Sequence, residues 1–329
     1  MKAFDYAAPT SVPDAVHLLT APNAVALSGG TDLISRMKDY ITSPDRVVYL
    51  KDIKSLGGIS GDSSSGMTIG AGATLSEIVG HTGIRDAYPA LWQATREVGS
   101  PQIRNMATVG GNLLQRPRCW YYHTGNGLLG IKDGKSLIRA GDNRFHAIFL
   151  TEGDALFVSP SSLAVALSAL DASATISGPK GDRTIKVQAL YQVPKKETDS
   201  ELAIEPGEVL TRVMIPPARG KSASYEARHK EAQDWPLVMS SVNLEMAGET
   251  VSTARIVIYG VAPIPWRSEA AERAMVGKPV NLDTAAAAAE AAIEAAAPLS
   301  GNAYKVPLTR TVVKRAILSA VGNHYWEQA

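Results

Sequence analysis

Two stretches constrain this chain more than any others: "ALSGGTDLISR" at 26–36 and "QIRNMATVGGNLLQ" at 102–115. Each leads an apolar segment into a pair of glycines and then a small polar residue. A glycine pair reaches φ > 0 and, lacking Cβ atoms, lets backbone come close to a ligand. Successive N–H groups in such a turn form a concave anion site, and the first turn runs on into a helix-like segment. Ser28, Thr31, Thr108 and Asn112 place neutral donors beside Gly29, Gly30, Gly110 and Gly111. Two such turns facing each other suit a pyrophosphate and need no Lys or Arg. Asp32 is the wrong charge for a phosphate contact, so its carboxylate is expected to turn away and cap backbone N–H groups. Either pair alone also reads as an ordinary tight turn; the matched surroundings favour a binding role.

The rest of the pattern divides into three blocks. Residues 1–55 offer a Ser11-capped helix with Ala15, Val16, Leu18 and Leu19 as its apolar stripe, then a strand, a helix from Asp32 and the strand "RVVYL". Residues 56–217 open with a strand running into Thr74, with Glu77 three residues on as a capping box. The helix "YPALWQATREV" follows, then the second glycine turn. The loop 116–160 is too long for an ordinary connection, and "SPSSLAVALSALDA" then gives a Ser-capped helix ahead of the strands "SATISG" and "EVLTRVMIP". "PPARGKS" at 216–222 stops any element and marks a boundary. Residues 222–329 read as strands followed by helices, a separate α+β domain. Its run "TAAAAAEAAIEAAA" is a plain helix, because alanine is the best helix former.

Composition excludes several function classes. A net charge of +1 offers no basis for binding nucleic acid or an anionic membrane surface. The longest apolar runs fall far short of the ~20 residues that cross a bilayer. The N-terminal residues lack a signal pattern, so a cytoplasmic location is expected, or a periplasmic one by co-export with a partner. Cys119 is the single cysteine, which leaves no intrachain disulfide, four-cysteine zinc site or protein-held iron–sulfur cluster. "GAGATL" at 70–75 has Leu75 where a dinucleotide fingerprint needs its third glycine. "GIKDGKS" lacks the first glycine of a P-loop, and the six histidines show no metal-ligand spacing.

In order, "SGGTDL", "TIGAGATLSEI", "QIRNMATVGGNLL" and "SPSSLAVALSAL" resemble the FAD-binding middle subunit of the molybdenum hydroxylases, the xanthine dehydrogenase and carbon monoxide dehydrogenase family. The likeness covers essentially the whole chain. It implies an α+β fold: two FAD-binding subdomains of the vanillyl-alcohol-oxidase (PCMH) type, then a small domain with a three-stranded antiparallel sheet and helices. It implies Ser28, Gly29, Gly30, Thr31 and Asp32 as one diphosphate clamp and Thr108, Gly110, Gly111 and Asn112 as the other. Gly70, Ala71 and Thr74 match the strand-turn near the flavin, and Leu210 a position packing on the rings. Trp235, in "RHKEAQDWPLV", is the candidate to cover the isoalloxazine. Ser162 stands where many relatives have Asp, which leaves the usual carboxylate contact to the ribityl chain open, with the Ser162 hydroxyl as a partial replacement.

The implied function is that of an oxidoreductase flavoprotein subunit in a heterotrimer. Electrons arrive from [2Fe–2S] clusters on a small subunit, beside a molybdopterin-bearing large subunit, and leave to NAD+, oxygen or another acceptor. Some relatives hold a [4Fe–4S] cluster in the long loop; here Cys119 alone cannot. Arg116, Arg118, Arg139 and Arg144 in that loop are candidates for contact with the FAD adenylate or a partner, or for plain solvation. Cys119 reads as an inert thiol, since no His is near it in sequence. No catalytic acid, base or metal ligand is nominated. Two other readings stay open: an autonomous flavin oxidase using His229 or His146 as base, and a cofactor-free scaffold.

Overall fold

The protein is described from a computed structural model covering residues 1–327. Three sheets organise it. The first is parallel, with Arg46–Tyr49 between Asp5–Ala7 and Ala24–Leu27. Parallel neighbours need crossovers, and the helices Val12–Leu19 and Leu33–Lys38 supply them. Ser11 caps the first helix by accepting from the Asp14 N–H. Its stripe of Ala15, Val16 and Leu19 packs against Val48, Ile53, Leu56 and Val209, with Leu18 at the cluster's edge.

The second sheet is antiparallel, ordered Ile59–Asp62, Gly66–Gly70, Val209–Ile215, Ser173–Gly178 and Gly181–Lys186. Thr74 closes a full capping box with Glu77 at the start of helix Leu75–Gly80. The helix Ser162–Ala169 is buried on every face, as a helix apolar all round must be. It lies between this sheet and the third, where Met239, Val257 and Tyr259 join the same core. Gly181–Lys186 is a polar edge strand with little hydrophobic alternation, which hides it from a sequence reading.

The third sheet is a meander of Gly220–Ala227, Val238–Ala247, Thr250–Tyr259 and Trp266–Arg267. It has four strands where three were expected, because the two-residue Trp266–Arg267 pairs with Val257 and Ile258. Three helices cover it: Glu269–Met275, Leu282–Ile293 and Lys305–Ala320. The alanine-rich run is indeed a helix, burying Ala285, Ala288, Ala289 and Ala292 along one stripe.

The segment 116–160 is not structureless. It forms the short helices Trp120–His123 and Leu137–Ala140 and the hairpin Ile131–Lys132/Lys135–Ser136. Cys119, Leu129, Ile138, Leu156 and Phe157 make its own apolar cluster. Its end inserts Ile148 and Phe149 into the core of the third sheet, with Phe149 stacked 4.9 Å from Trp266. No helix among the described residues is long and apolar enough to cross a membrane.

Candidate functional site

The first glycine loop leaves strand Ala24–Leu27 and turns into helix Leu33–Lys38. Gly30 has φ +73°, the left-handed region, and a Cβ there would sit 3.0 Å from Ile34 Cγ1. Gly29 is needed for a different reason: any Cβ would overlap the Met106 carbonyl, just before the second loop. The N–H groups of Gly29, Gly30, Thr31 and Asp32 donate to no acceptor among the described residues. They form a run of four free amides.

The second loop is built otherwise. Gly110 and Gly111 both lie in the short helix Val109–Leu113, and neither has positive φ. Their amides are taken. Val109 donates to the Ala73 carbonyl at 2.9 Å and Gly110 to that of Ala71 at 2.8 Å. Gly111 donates to Thr108 Oγ1 at 3.2 Å and Asn112 to the Thr108 carbonyl at 2.8 Å. The expectation of two facing amide cradles is thus corrected to one cradle and one wall. The cause is Thr108, a good helix cap, together with carbonyls brought up by the turn at 71–73. Gly110 lets Ala71 pack against it, whereas a Cβ on Gly111 would meet only Thr108 Oγ1.

The two loops still meet, through a hydrogen bond from Thr108 Oγ1 to Ser28 Oγ at 3.0 Å. Between them lies a chamber of about 150 Å³ walled by Ser28 through Asp32, Ala71, Thr108, Gly110, Gly111 and Leu210. Past Thr31, Asp32 and Gly111 comes a second chamber of about 240 Å³, whose wall includes Asn112, Ser162 and Trp235. Leu210 lines the first chamber and Trp235 the second. Asn112 Oδ1 is already held by Ser161 Oγ at 2.8 Å. Gly70 and Thr74 line neither chamber. Gly70 accommodates the Leu56 and Gly57 carbonyls, and Thr74 pairs with Thr108 in an isolated bridge behind the second loop.

Asp32 departs from expectation. Its side chain caps no amide of its own helix. It takes Arg36 Nε at 3.0 Å and an Arg118 nitrogen in close contact, with the Arg116 N–H at 3.4 Å. Burial alone would raise its pKa; Arg118 and Arg36 overcome this and hold it below the usual carboxylate range. The trio carries one net positive charge beside the free amides, so cations stand at the loop after all, aimed at Asp32. The i,i+4 spacing of Asp32 and Arg36 was the readable signal; Arg118 lies 86 residues away and left none.

The other arginines of the long segment are also engaged internally. Arg116 pairs with Glu201 and Arg144 with Asp142, and Arg139 binds the carbonyls of Thr151 and Gly153. Cys119 does have a histidine beside it in space, His146 Nε2 at 3.2 Å. Burial pushes the thiol's pKa up, and burial with the Lys305 charge lowers His146 to about 4. Both stay neutral, so the thiol is not activated.

Residues 2–218 match the family model of the FAD binding domain in molybdopterin dehydrogenase, and 223–320 that of the CO dehydrogenase flavoprotein C-terminal domain. The chain belongs to this family of FAD-binding oxidoreductase subunits. It is 31% identical to the aldehyde oxidoreductase FAD-binding subunit PaoB of Escherichia coli K12, over 97% of this chain and 99% of that one. Identity to the carbon monoxide dehydrogenase medium chain of Afipia carboxidovorans is 30% over 96% of each. Solved carbon monoxide dehydrogenase from Hydrogenophaga pseudoflava matches with a TM-score of 0.76 at 27% identity, covering 97% of this chain and 98% of that one.

Proposed function

We infer that the chain holds FAD along the two chambers, with the diphosphate on the free amides of Gly29 to Asp32. The observation that carries this reading is the position of that amide run, at the junction of two contiguous chambers. The residues fit the group: the cradle has donors without acceptors, Gly111 keeps the opposite wall open, and Asp32 is neutralised by Arg36 and Arg118. Ser28, Thr31 and Thr108 border the cradle with hydroxyls, and Ser162 presents another in the second chamber. Leu210 covers one end of the cleft and Trp235 the other.

Bound FAD supplies the conversion between one-electron and two-electron transfer. The chain acts as the electron-transfer subunit of a heterotrimeric molybdenum hydroxylase. Its partners are a [2Fe–2S] small subunit and a molybdopterin large subunit, and an external acceptor takes the electrons. The relatives named above are themselves a subunit and a medium chain, which favours this over a self-sufficient oxidase. His146, buried and bonded to Cys119, is a poor general base. Residues 1–55 and 56–217 serve as the two FAD subdomains and 222–329 as the C-terminal one, supported by the three separate sheets.

The test is incubation of flavin-free protein with excess FAD, removal of free FAD by gel filtration, and absorbance of the protein fraction near ~370 and ~450 nm. Stoichiometric binding is expected. A protein fraction that emerges colourless would refute the reading.

A further inference from the structure

Arg118 joins three parts of the molecule that lie far apart in the sequence. One guanidinium nitrogen pairs with the carboxylate of Asp32, at the end of the first glycine loop. Another donates to Gln115 Oε1 at 3.0 Å. Gln115 is buried, and its own Nε2 donates to the Asn112 carbonyl at 3.0 Å, so this arm ends on the helix of the second loop. The guanidinium carbon lies 5.0 Å over the ring centre of Trp235, in the loop between strands Gly220–Ala227 and Val238–Ala247. A planar guanidinium can do all of this at once, because it hydrogen-bonds in its plane and stacks through its face.

The two ends of this contact differ in how firmly they are held. Asp32 is also tied to Arg36 at 3.0 Å, and Gln115 is only 6% exposed. Trp235 is 44% exposed, and the other ties of its loop are local. Asp234 accepts from the N–H groups of Lys230 and Trp235, and Leu237 closes the loop by donating to the Ala227 carbonyl at 2.8 Å. These bonds shape the backbone and leave the direction of the indole open. Arg118 is the one cation over that ring among the described residues.

The position of the pair gives the contact a consequence. Arg118, Asp234, Trp235 and Pro236 wall the second chamber, and the same four wall a neighbouring one of about 350 Å³. They form a partition. An indole that swung aside would join the two spaces and admit water to a ring bound in the second chamber.

We propose that Arg118 is a positioning residue: anchored on the two glycine loops through Asp32 and Gln115, it presents its guanidinium face to Trp235 and so holds the indole across the second chamber. The bearing of this on a bound flavin rests on the reading above; the contact itself does not.

Acrylamide quenching of the full chain without FAD tests the contact, with the Trp235 emission isolated by subtracting that of the Trp235→Phe protein. Arg118→Met loses both charge and face and should raise Trp235 quenching about threefold, the scale of an exposed cation–π contact. Arg118→Lys keeps the charge without the fork and should still raise it about twofold. Asp32→Asn removes the anchor and leaves the stacked pair in place, with a rise again about twofold. With FAD bound, the same three variants should brighten flavin emission, because an indole over the isoalloxazine quenches it. Trp235→Phe in each background should cancel that gain. Unchanged Trp235 quenching in both Arg118 variants overturns the proposal, as does a rise shared equally by the other tryptophans. Flavin emission that brightens equally with and without Trp235 also overturns it, because Arg118 would then act on the cradle alone. A protein in which Trp235 responds as expected but which binds no FAD would fail the flavin reading and leave the Arg118 contact standing.

Discussion

The two glycine loops share a sequence device and use it for opposite purposes. At 29–30, one glycine bends into the left-handed region, the other yields to the Met106 carbonyl, and four amides emerge without partners. At 110–111, the glycines sit in ordinary helical turns and every nearby amide is satisfied internally. A glycine pair thus specifies backbone freedom or close approach, not donor availability. Availability depends on what else can accept. Strand–turn carbonyls at Ala71 and Ala73 accept from the second loop, whereas the one carbonyl that reaches the first, that of Met106, abuts Gly29 without accepting from any of its amides.

This contrast is most severely tested by Gly30→Val. A β-branched residue in the left-handed region costs about 1–2 kcal/mol in backbone strain and would turn the free amides away from the cleft. FAD affinity should fall about a hundredfold, some 2.7 kcal/mol, as read by titration; retention within a factor of two would break the one-cradle picture. Gly111→Val is the next in size. The valine would meet no backbone and project toward the chambers, so the melting temperature should hold while FAD affinity drops about tenfold. If instead the protein is destabilised and affinity survives, Gly111 is a folding requirement and the wall assignment fails.

How much of this was written in the sequence depended on distance along the chain. The caps at Ser11 and Thr74 and the starts of both glycine loops are local events, settled within four residues, and they were legible. The fate of the amides was not. Gly110 is satisfied by a carbonyl 39 residues earlier, and Asp32 is bound by an arginine 86 residues later. The same holds for Cys119 and His146, 27 residues apart. The compact core of 116–160 was hidden because its apolar residues follow neither a helical nor a strand period. Trp266–Arg267 is simply too short to show any period at all. Ser162 was legible as a helix-start residue, but its place in the second chamber needed the sheet packing that brings that helix to Asn112.

Thr108→Val examines the link between the loops. It removes a helix cap and the hydrogen bond to Ser28, and should cost about 1 kcal/mol of stability with FAD affinity falling about fivefold. Denaturant melts and flavin titration measure the two effects separately. Loss of stability with unchanged affinity would mean that the second loop supports the first only as scaffold.

The smallest effect concerns charge at the cradle's end. The folded-state pKa of Asp32 is held below its ordinary value, by Arg118 and Arg36 against burial. Its contribution to stability is therefore complete above the unfolded carboxylate pKa, about 3.9, and is lost as pH falls through the lower folded value. Asp32→Asn should remove that acid-limb component, flattening the stability curve below about pH 4. It should also leave Arg36 and Arg118 without their anion, so FAD affinity at neutral pH should rise slightly and become more salt-sensitive. An unchanged acid limb with weakened FAD binding would show that Asp32 orients the cradle itself, and the two arginines would then be its anchors and not its neutralisers.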